Sequence, residues 1–378
     1  MNWRIPLSDI DFGCEEISAV EDVLKSRWLT MGGITQKFEA EFAAYTGAGY
    51  ALAVTNATAA LHMACMAIGL KPGDEAIVPS LTFVASANAI RYTGATPVFA
   101  DIISESDFNI SADAIEALIT ERTRAIMLVH FGGYACDMPR IMQLAREHDL
   151  KVIEDSAHAT GSWLNDRHLG TWGDIGCFSF FSNKNMTTGE GGMVVTNDPD
   201  LHERLRLLRS HGMTALTWDR HKGRALSYDV VELGYNYRID EIRAALGVVQ
   251  LNKLDRNNER RRHLTNVYRQ ALHEFPQIRV PFSGHPGITS AHILPILLPH
   301  DSDRIAFMER MKSRGIQTSI HYPPIHHFTS YKSLDGCASQ RLPMTEDVAS
   351  REVTLPLYPA MVDDDVALVV EAIAHSLI

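Results

Sequence analysis

Between about residues 50 and 200, short apolar runs alternate with stretches of helical periodicity. The runs Glu75–Pro79, Ala95–Ile102, Arg124–His130, Lys151–Asp155, Gly176–Phe181 and Gly191–Asn197 read as strands. They are near-continuously apolar rather than alternating, which is the pattern of strands covered on both faces. Helical patterns at Thr58–Ile68 and Met138–His148 lie between them. Strands that alternate with helices in this way predict an α/β fold with a mostly parallel central sheet flanked by helices. Asp200 and Glu203 are spaced D-x-x-E and predict a capping box for a helix over Leu201–Leu208.

From Ile239 a helical pattern continues to about Phe275. The apolar run His292–Pro299, a helix near Arg304–Arg314, a strand near Gln317–His321 and a last helix over Asp364–Ile378 follow it. The expected organisation is a large domain over 1–250 and a smaller α+β domain over 251–378. The boundary between them falls inside the long helix.

Composition narrows the function. The chain has 378 residues, 46% of them hydrophobic, enough to build two cores. Mean hydropathy is −0.08, and no apolar run approaches the ~20 residues of a membrane span. The opening MNWRIPLSDIDF has no basic region followed by an apolar one, so no secretory signal is expected and a soluble cytoplasmic protein is. A net charge of −11 argues against nucleic acid as the main partner. The basic run Arg256–His263 fits the solvated face of a helix. Cys14, Cys65, Cys136, Cys177 and Cys337 are far apart and form no CxxC, so neither disulfides nor zinc are expected. The 17 histidines show no HExxH-type spacing, so no metal site is expected.

One stretch raises a chemical question. In CFSFFSNKNMTTGEGGMVV, Cys177–Val195, a buried strand breaks at Ser182, and a single lysine stands before the next strand. Of nine lysines, only Lys184 follows a buried strand directly. Loop lysines are ordinarily solvated. In a partly desolvated pocket, however, an amine has a lowered pKa and attacks carbonyls to form a Schiff base.

Three companions favour the second reading. Asp155 ends the strand KVIED, and strand C-termini are where open α/β sheets place ligand groups. A carboxylate there suits the pyridine nitrogen of pyridoxal phosphate, whose protonated ring is an electron sink. The stretch TNATAALHMA, Thr55–Ala64, opens an apolar helix with small and hydroxyl residues, a start suited to a phosphate. Phe83 follows the strand EAIVP and could stack on a planar ring. Singly, each has a plainer explanation as a turn residue, an N-cap or core.

Together these residues resemble the DegT/DnrJ family of sugar aminotransferases, which are fold-type I pyridoxal phosphate enzymes. The resemblance rests on NATAALHMA, PSLTFVASANAI, IEDSAHATGS, FSFFSNKNMTTGEGGMVVT, ELGYNYRIDEIRAALGVVQL, IHYPPIHH and TLPLYP. It implies Lys184 as the Schiff-base lysine and acid/base, with Asp155 at the pyridine nitrogen and His158 at the phenolic oxygen. Thr58, the Ala59 backbone and Ser179 would hold the phosphate, and Phe83 would stack on the ring. Asn236 would reach the phosphate of a neighbouring subunit, which implies a homodimer with shared sites.

Relatives that act as sugar dehydratases carry His at the lysine position, so the retained Lys184 implies transamination. The implied substrates are glutamate or glutamine as donor and a nucleotide-linked ketosugar as acceptor. His158 and the TTGEGG turn resemble the branch that aminates C4 of UDP-linked 4-keto sugars. A C3-ketosugar or a cyclitol is the alternative. His321 and His326, in IHYPPIHH, resemble residues that approach the sugar, and Thr217–Tyr228 falls where a nucleotide channel would be lined. A non-catalytic regulatory or assembly protein on this scaffold is the reading from another class. The retained Lys184, Asp155 and Ser179 argue against it.

Overall fold

Seven strands build the central sheet of the computed structural model, which describes residues 3–215, 222–223, 226–334 and 341–377. They are β1 (Tyr50–Val54), β2 (Glu75–Pro79), β3 (Thr96–Ala100), β6 (Thr123–Val129), β7 (Lys151–Asp155), β10 (Ile175–Ser179) and β11 (Gly192–Thr196). Two short hairpins, β4–β5 (Ile102–Ser104, Asp107–Ile110) and β8–β9 (Trp163–Leu164, Arg167–His168), lie outside it. The sheet order is β1-β11-β10-β7-β6-β2-β3. β3, β2, β6, β7 and β10 are parallel, and β11 is antiparallel to both β10 and β1. Six strands therefore point one way and β11 alone points back.

The α-helices among the described residues are α1 (Cys14–Ser26), α2 (Gly33–Thr46), α3 (Ala57–Ala67), α4 (Ala85–Tyr92), α5 (Ala112–Leu118), α6 (Met138–Glu147) and α7 (Pro199–Arg209). Then come α8 (Glu241–Leu272), α9 (Arg304–Ser313), α10 (Thr329–Lys332), α11 (Pro343–Arg351) and α12 (Asp363–Ser376). Successive strand residues face opposite sides of the sheet. Leu52 and Val54 of β1 join a core with α3, α4 and α7, while Ala51 and Ala53 face Phe38, Phe42, Phe178 and Phe180 with α2 and α8. The Phe42 and Phe178 rings meet edge to face at 5.1 Å. Ile141 and Leu144 of α6 pack in a third cluster with Ile126, Leu128 and Val152.

A second sheet, β12 (Leu294–Leu297) paired antiparallel with β13 (Glu352–Leu355), centres the smaller lobe. The 32-residue α8 joins the two lobes as one unbroken rod, about 48 Å long at 1.5 Å per residue. Its first half packs in the phenylalanine cluster, and Leu264, Tyr268 and Leu272 pack with β12, β13 and α12. Ile5 also packs in this second cluster, and its N–H donates to Gly315 O. The start of the chain is thus built into the small lobe.

The structure moves two expected features. The helix expected at Leu201 begins at Pro199, and its cap is Asp198, whose Oδ1 accepts from the N–H groups of Asp200 and Leu201. Proline at the first helical position forfeits no hydrogen bond, so the helix starts earlier. The strand expected at Gln317–His321 is reduced to single bridges, Ile5 with Ile316 and Ser319 with Thr354. That segment meets a different partner on each side and never builds a ladder.

The N-terminus of α2 has glycine at its cap and no side-chain cap of its own. Buried Glu241 supplies one from 209 residues away. Its Oε1 accepts from the N–H groups of Gly32 and Thr35 and from the Thr35 hydroxyl, and its Oε2 accepts from Ile34 N–H. A carboxylate at a helix start satisfies orphan donors and opposes the helix dipole. Glu241→Ala is expected to cost about 3 kcal/mol by leaving four donors unpaired, three of them buried. Denaturant unfolding checks this, and a loss under about 1 kcal/mol contradicts it.

Candidate active site

Six co-directional strands bring their C-terminal ends to one edge of the sheet, where open α/β folds collect ligand groups. Val129 leaves β6 there, Asp155 ends β7 and Ser179 ends β10. Thr82 and Phe83 follow β2, and Asn56, Ala57 and Thr58 follow β1. Because β11 runs back, the connection from Phe180 to Gly191 also turns at this edge, and it carries Lys184. Together with His158, Phe181, Asn183, Glu190, His321 and Tyr322 these residues wall a cavity of about 400 Å³.

One end of the cavity suits an anion. Asn56 caps α3, its Oδ1 accepting from Ala59 N–H at 2.9 Å. The Ala59 amide expected to hold a phosphate is thereby engaged, and the cavity wall is formed by Ala57 and Thr58 instead. The Thr58 and Ser179 hydroxyls share this end with the first turn of α3. A Cβ on Gly192 would lie 2.7 Å from Asn56 C and 2.8 Å from Ala57 N, so glycine is what lets β11 approach the helix start.

On the same wall, at the end of β7, Asp155 is buried. Its Oδ2 accepts from the Ser86 hydroxyl at 2.7 Å and its Oδ1 from Ala157 N–H at 3.2 Å. Burial raises its pKa; the two hydrogen bonds and the charges of Lys184 and His130 oppose that rise. No ion pair is formed by Asp155 among the described residues, so a cationic ring nitrogen beside it would recover the cost of its burial. Hydroxyl groups and the first turn of a helix on the same wall as an under-compensated buried carboxylate fit pyridoxal phosphate. The half-exposed ring of Phe83, 6.1 Å from that of Tyr322, flanks the space between.

The Lys184 amine is pushed down to about 8, because burial penalises its charged form; the Asp155 charge opposes this in part. His292 Nε2 lies 3.4 Å from Nζ. The Asn185 amide nitrogen donates to Asn258 Oδ1 and Ser290 O, which turns Asn185 Oδ1 toward His292 Nδ1 at 2.8 Å. Nδ1 must then donate, and the bare Nε2 faces the lysine as an acceptor. His158 accepts from Gly132 N–H at Nδ1, so its Nε2–H donates to Tyr322 Oη at 3.0 Å. Burial, reinforced by the Lys184 charge, holds His158 and His292 well below the usual histidine range and His321 at about 3. The amine therefore stands among neutral imidazoles.

Lys184, Asp155, His158, Ser179, Thr58, Phe83 and His321 all reach this cavity. His326 does not: one ring nitrogen meets Ser80 Oγ at 2.7 Å and the other Glu346 at 3.2 Å, so it ties its segment to the end of β2 and to α11. Asn236 is exposed and lies away from the cavity wall. Of the stretch Thr217–Tyr228, residues 217–221 and 224–225 lie outside the described residues, as does Cys337. His292, Tyr322, Ser86 and Glu190 escaped sequence reading. His292 was hidden at the head of an apolar run, and only tertiary folding carries it to Lys184, 108 residues away. Among the described residues, His326–His327–Glu346 and Glu105–His300–Asp347 could each hold a cation, but neither group shares a residue with the cavity wall.

Comparison with known proteins agrees with this architecture. The model of the DegT/DnrJ/EryC1/StrS aminotransferase family matches residues 11–374. The chain is 40% identical over 377 residues to the spore coat polysaccharide biosynthesis protein SpsC of Bacillus subtilis, covering 98% of this chain and 97% of that protein. It superposes on Helicobacter pylori PseC, an aminotransferase involved in the biosynthesis of pseudoaminic acid, with a TM-score of 0.92 and 31% identity over 99% of both chains. DesI, solved in the presence of its TDP-sugar product, gives a TM-score of 0.88 and 31% identity over 100% of this chain and 93% of that one. The chain belongs to the DegT/DnrJ/EryC1/StrS aminotransferase family and is a pyridoxal phosphate-dependent sugar aminotransferase.

Proposed function

We propose that the protein binds pyridoxal phosphate through Lys184 and moves an amino group from glutamate or glutamine to a nucleotide-linked ketosugar, with C4 of a UDP-4-keto-6-deoxy-type sugar as the favoured acceptor. The observation that carries this reading is one cavity shared by a low-pKa amine and a buried carboxylate, with the first turn of α3 on its wall. The cofactor, when bound, supplies the electron sink for loss of a proton from the carbon bearing nitrogen.

The chain's own residues supply the rest. Thr58, Ser179 and the first turn of α3 would donate to the phosphate, and Asp155 would offer its charge to the ring nitrogen. Phe83 covers one face, and His158 with Tyr322 hydrogen-bonds near the ring edge. The Lys184 amine would be the group that takes a proton from one carbon and returns it to another. An amine near 8 is suited to both directions close to neutral pH. His292 accepts one N–H of that amine and fixes where its lone pair points. His321, on the cavity wall, would face the acceptor sugar. A cavity of about 400 Å³ falls in the range of small-molecule sites.

A homodimer with shared sites is part of the proposal. Leu226, Val230, Val231 and Leu233 form an exposed apolar run just before exposed Asn236, a surface that calls for a partner. No helix among the described residues is long and apolar enough to cross a membrane.

Two experiments test the reading. Pyridoxal phosphate added to the purified protein is expected to give a visible absorbance band that borohydride reduction fixes to the Lys184 peptide. Lys184→Ala is expected to lose that band and all amino transfer from glutamate or glutamine to nucleotide ketosugars. A band that survives the substitution contradicts the assignment. In cofactor-free protein the Lys184 amine is expected to titrate at about 8 rather than at its ordinary 10.5, as read from the pH dependence of reductive alkylation. Asp155→Asn removes the one charge that opposes the shift, so it is expected to lower that midpoint further. A midpoint that rises in Asp155→Asn contradicts the electrostatic account.

A further inference from the structure

On the small-lobe side of the cavity, His321 is wired to a buried acid that no substrate could touch. We propose that Glu352, acting through Thr354, is a positioning residue that sets which tautomer of His321 faces the acceptor sugar. The proposal rests on reading the cavity as the ketosugar site.

The geometry leaves little freedom. Glu352 and Thr354 lie two apart on β13 and are both buried. Glu352 Oε2 accepts the backbone N–H of His321 at 2.7 Å, and its Oε1 meets Thr354 Oγ at 2.5 Å. Thr354 Oγ in turn meets His321 Nδ1 at 2.7 Å. His321 lines the cavity, and Nε2 is the ring atom this network leaves for a ligand.

Each charge state of Glu352 fixes every hydrogen in this row. An ionised Glu352 only accepts, so Thr354 donates to it and must accept from His321 Nδ1–H. Nε2 then carries a lone pair. When Glu352 is neutral its proton must sit on Oε1, because Oε2 already faces an N–H. Oε1–H now donates to Thr354, Thr354 donates to Nδ1, and the ring hydrogen sits on Nε2. The two states differ by one proton. A proton arriving at Nε2 passes the Nδ1 hydrogen to Thr354 and the threonine hydrogen to Glu352, so atoms and charge balance.

Burial pushes Glu352 up to about 8, against its bonds to Thr354 and His321 and the charge of Arg304 on α9, while His321 itself is held at about 3. Tyr322, half-buried, feels the Glu352 charge, and the Lys184 charge acts on His321. At neutral pH the added proton thus resides on Glu352 and Nε2–H points outward as a donor. A keto oxygen can only accept, so this is the tautomer that matches a ketosugar. Above about 8 the nitrogen becomes an acceptor and the match is lost.

Glu352→Gln separates this device from a merely structural role. The glutamine oxygen must face the His321 N–H, so its NH2 group faces Thr354 and copies the neutral acid at every pH. The test is the histidine ¹⁵N spectrum of the cofactor-free protein, with the His321 signals assigned by subtracting the His321→Asn spectrum. Wild type is expected to exchange Nε2–H for Nδ1–H through one step near 8, and Glu352→Gln to stay Nε2–H throughout. Thr354→Val is expected to abolish the step and lower kcat/KM for the ketosugar about tenfold, and Thr354→Ser to restore both. A wild-type tautomer that ignores pH, or an unchanged step in Glu352→Gln, overturns the proposal. The spectrum needs neither cofactor nor sugar, so absent transamination with the tautomer step intact would instead count against the proposed function.

Discussion

Everything at the site depends on one amine and one carboxylate being taken out of water into the same cavity. Each alone would favour its neutral form there, because an unpaired charge in low dielectric is costly. Together they offset one another in part: the Asp155 charge raises the Lys184 pKa against burial, and the Lys184 charge lowers that of Asp155. The amine is left reactive near neutral pH and the carboxylate available to a cationic ring nitrogen. The surrounding histidines cannot blur this division. Burial and the lysine charge keep His158, His292 and His321 neutral, so they act as hydrogen-bonding groups rather than as charges.

That cavity exists because of one topological feature. Six strands deliver their C-terminal ends to a common edge, and the reversed β11 returns the chain so that the Lys184 turn lies at that edge too. The close approach of Gly192 to Asn56 then sets the start of α3 against the same space. The small lobe closes the other side with His292, His321 and Tyr322, and the rod of α8 packs in the cores of both lobes. Fold and site thus share one cause: the direction of the strands decides which side chains meet.

Much of this was readable from residue order. The strands at Glu75–Pro79 and Lys151–Asp155 stand where their apolar runs predict, because buried parallel strands need apolar residues on both faces. Lys184, Asp155 and Phe83 stand out because each ends or follows a strand, a position where this class of fold gathers ligand groups, whereas Ser179 and Thr58 are pointed to only by the family resemblance. His292 and Glu352 do not stand out, since their partners lie 108 and 31 residues away and their patterns are those of ordinary strand ends. The cap of α7 was assigned to Asp200 rather than Asp198 because both aspartates precede the apolar pattern, and only the early start at Pro199 separates them. His326 shares its motif with His321, yet its side chain is turned to Ser80 and Glu346, an orientation that spacing does not specify.

The central claim is that Lys184 and Asp155 address two ends of one planar cofactor. A crystal structure grown with pyridoxal phosphate tests it most directly. The account predicts continuous density from Lys184 Nζ to the aldehyde carbon, with the Asp155 carboxylate within hydrogen-bond distance of the ring nitrogen. A cofactor bound without contact to one of these two side chains, or held elsewhere on the chain, would contradict it.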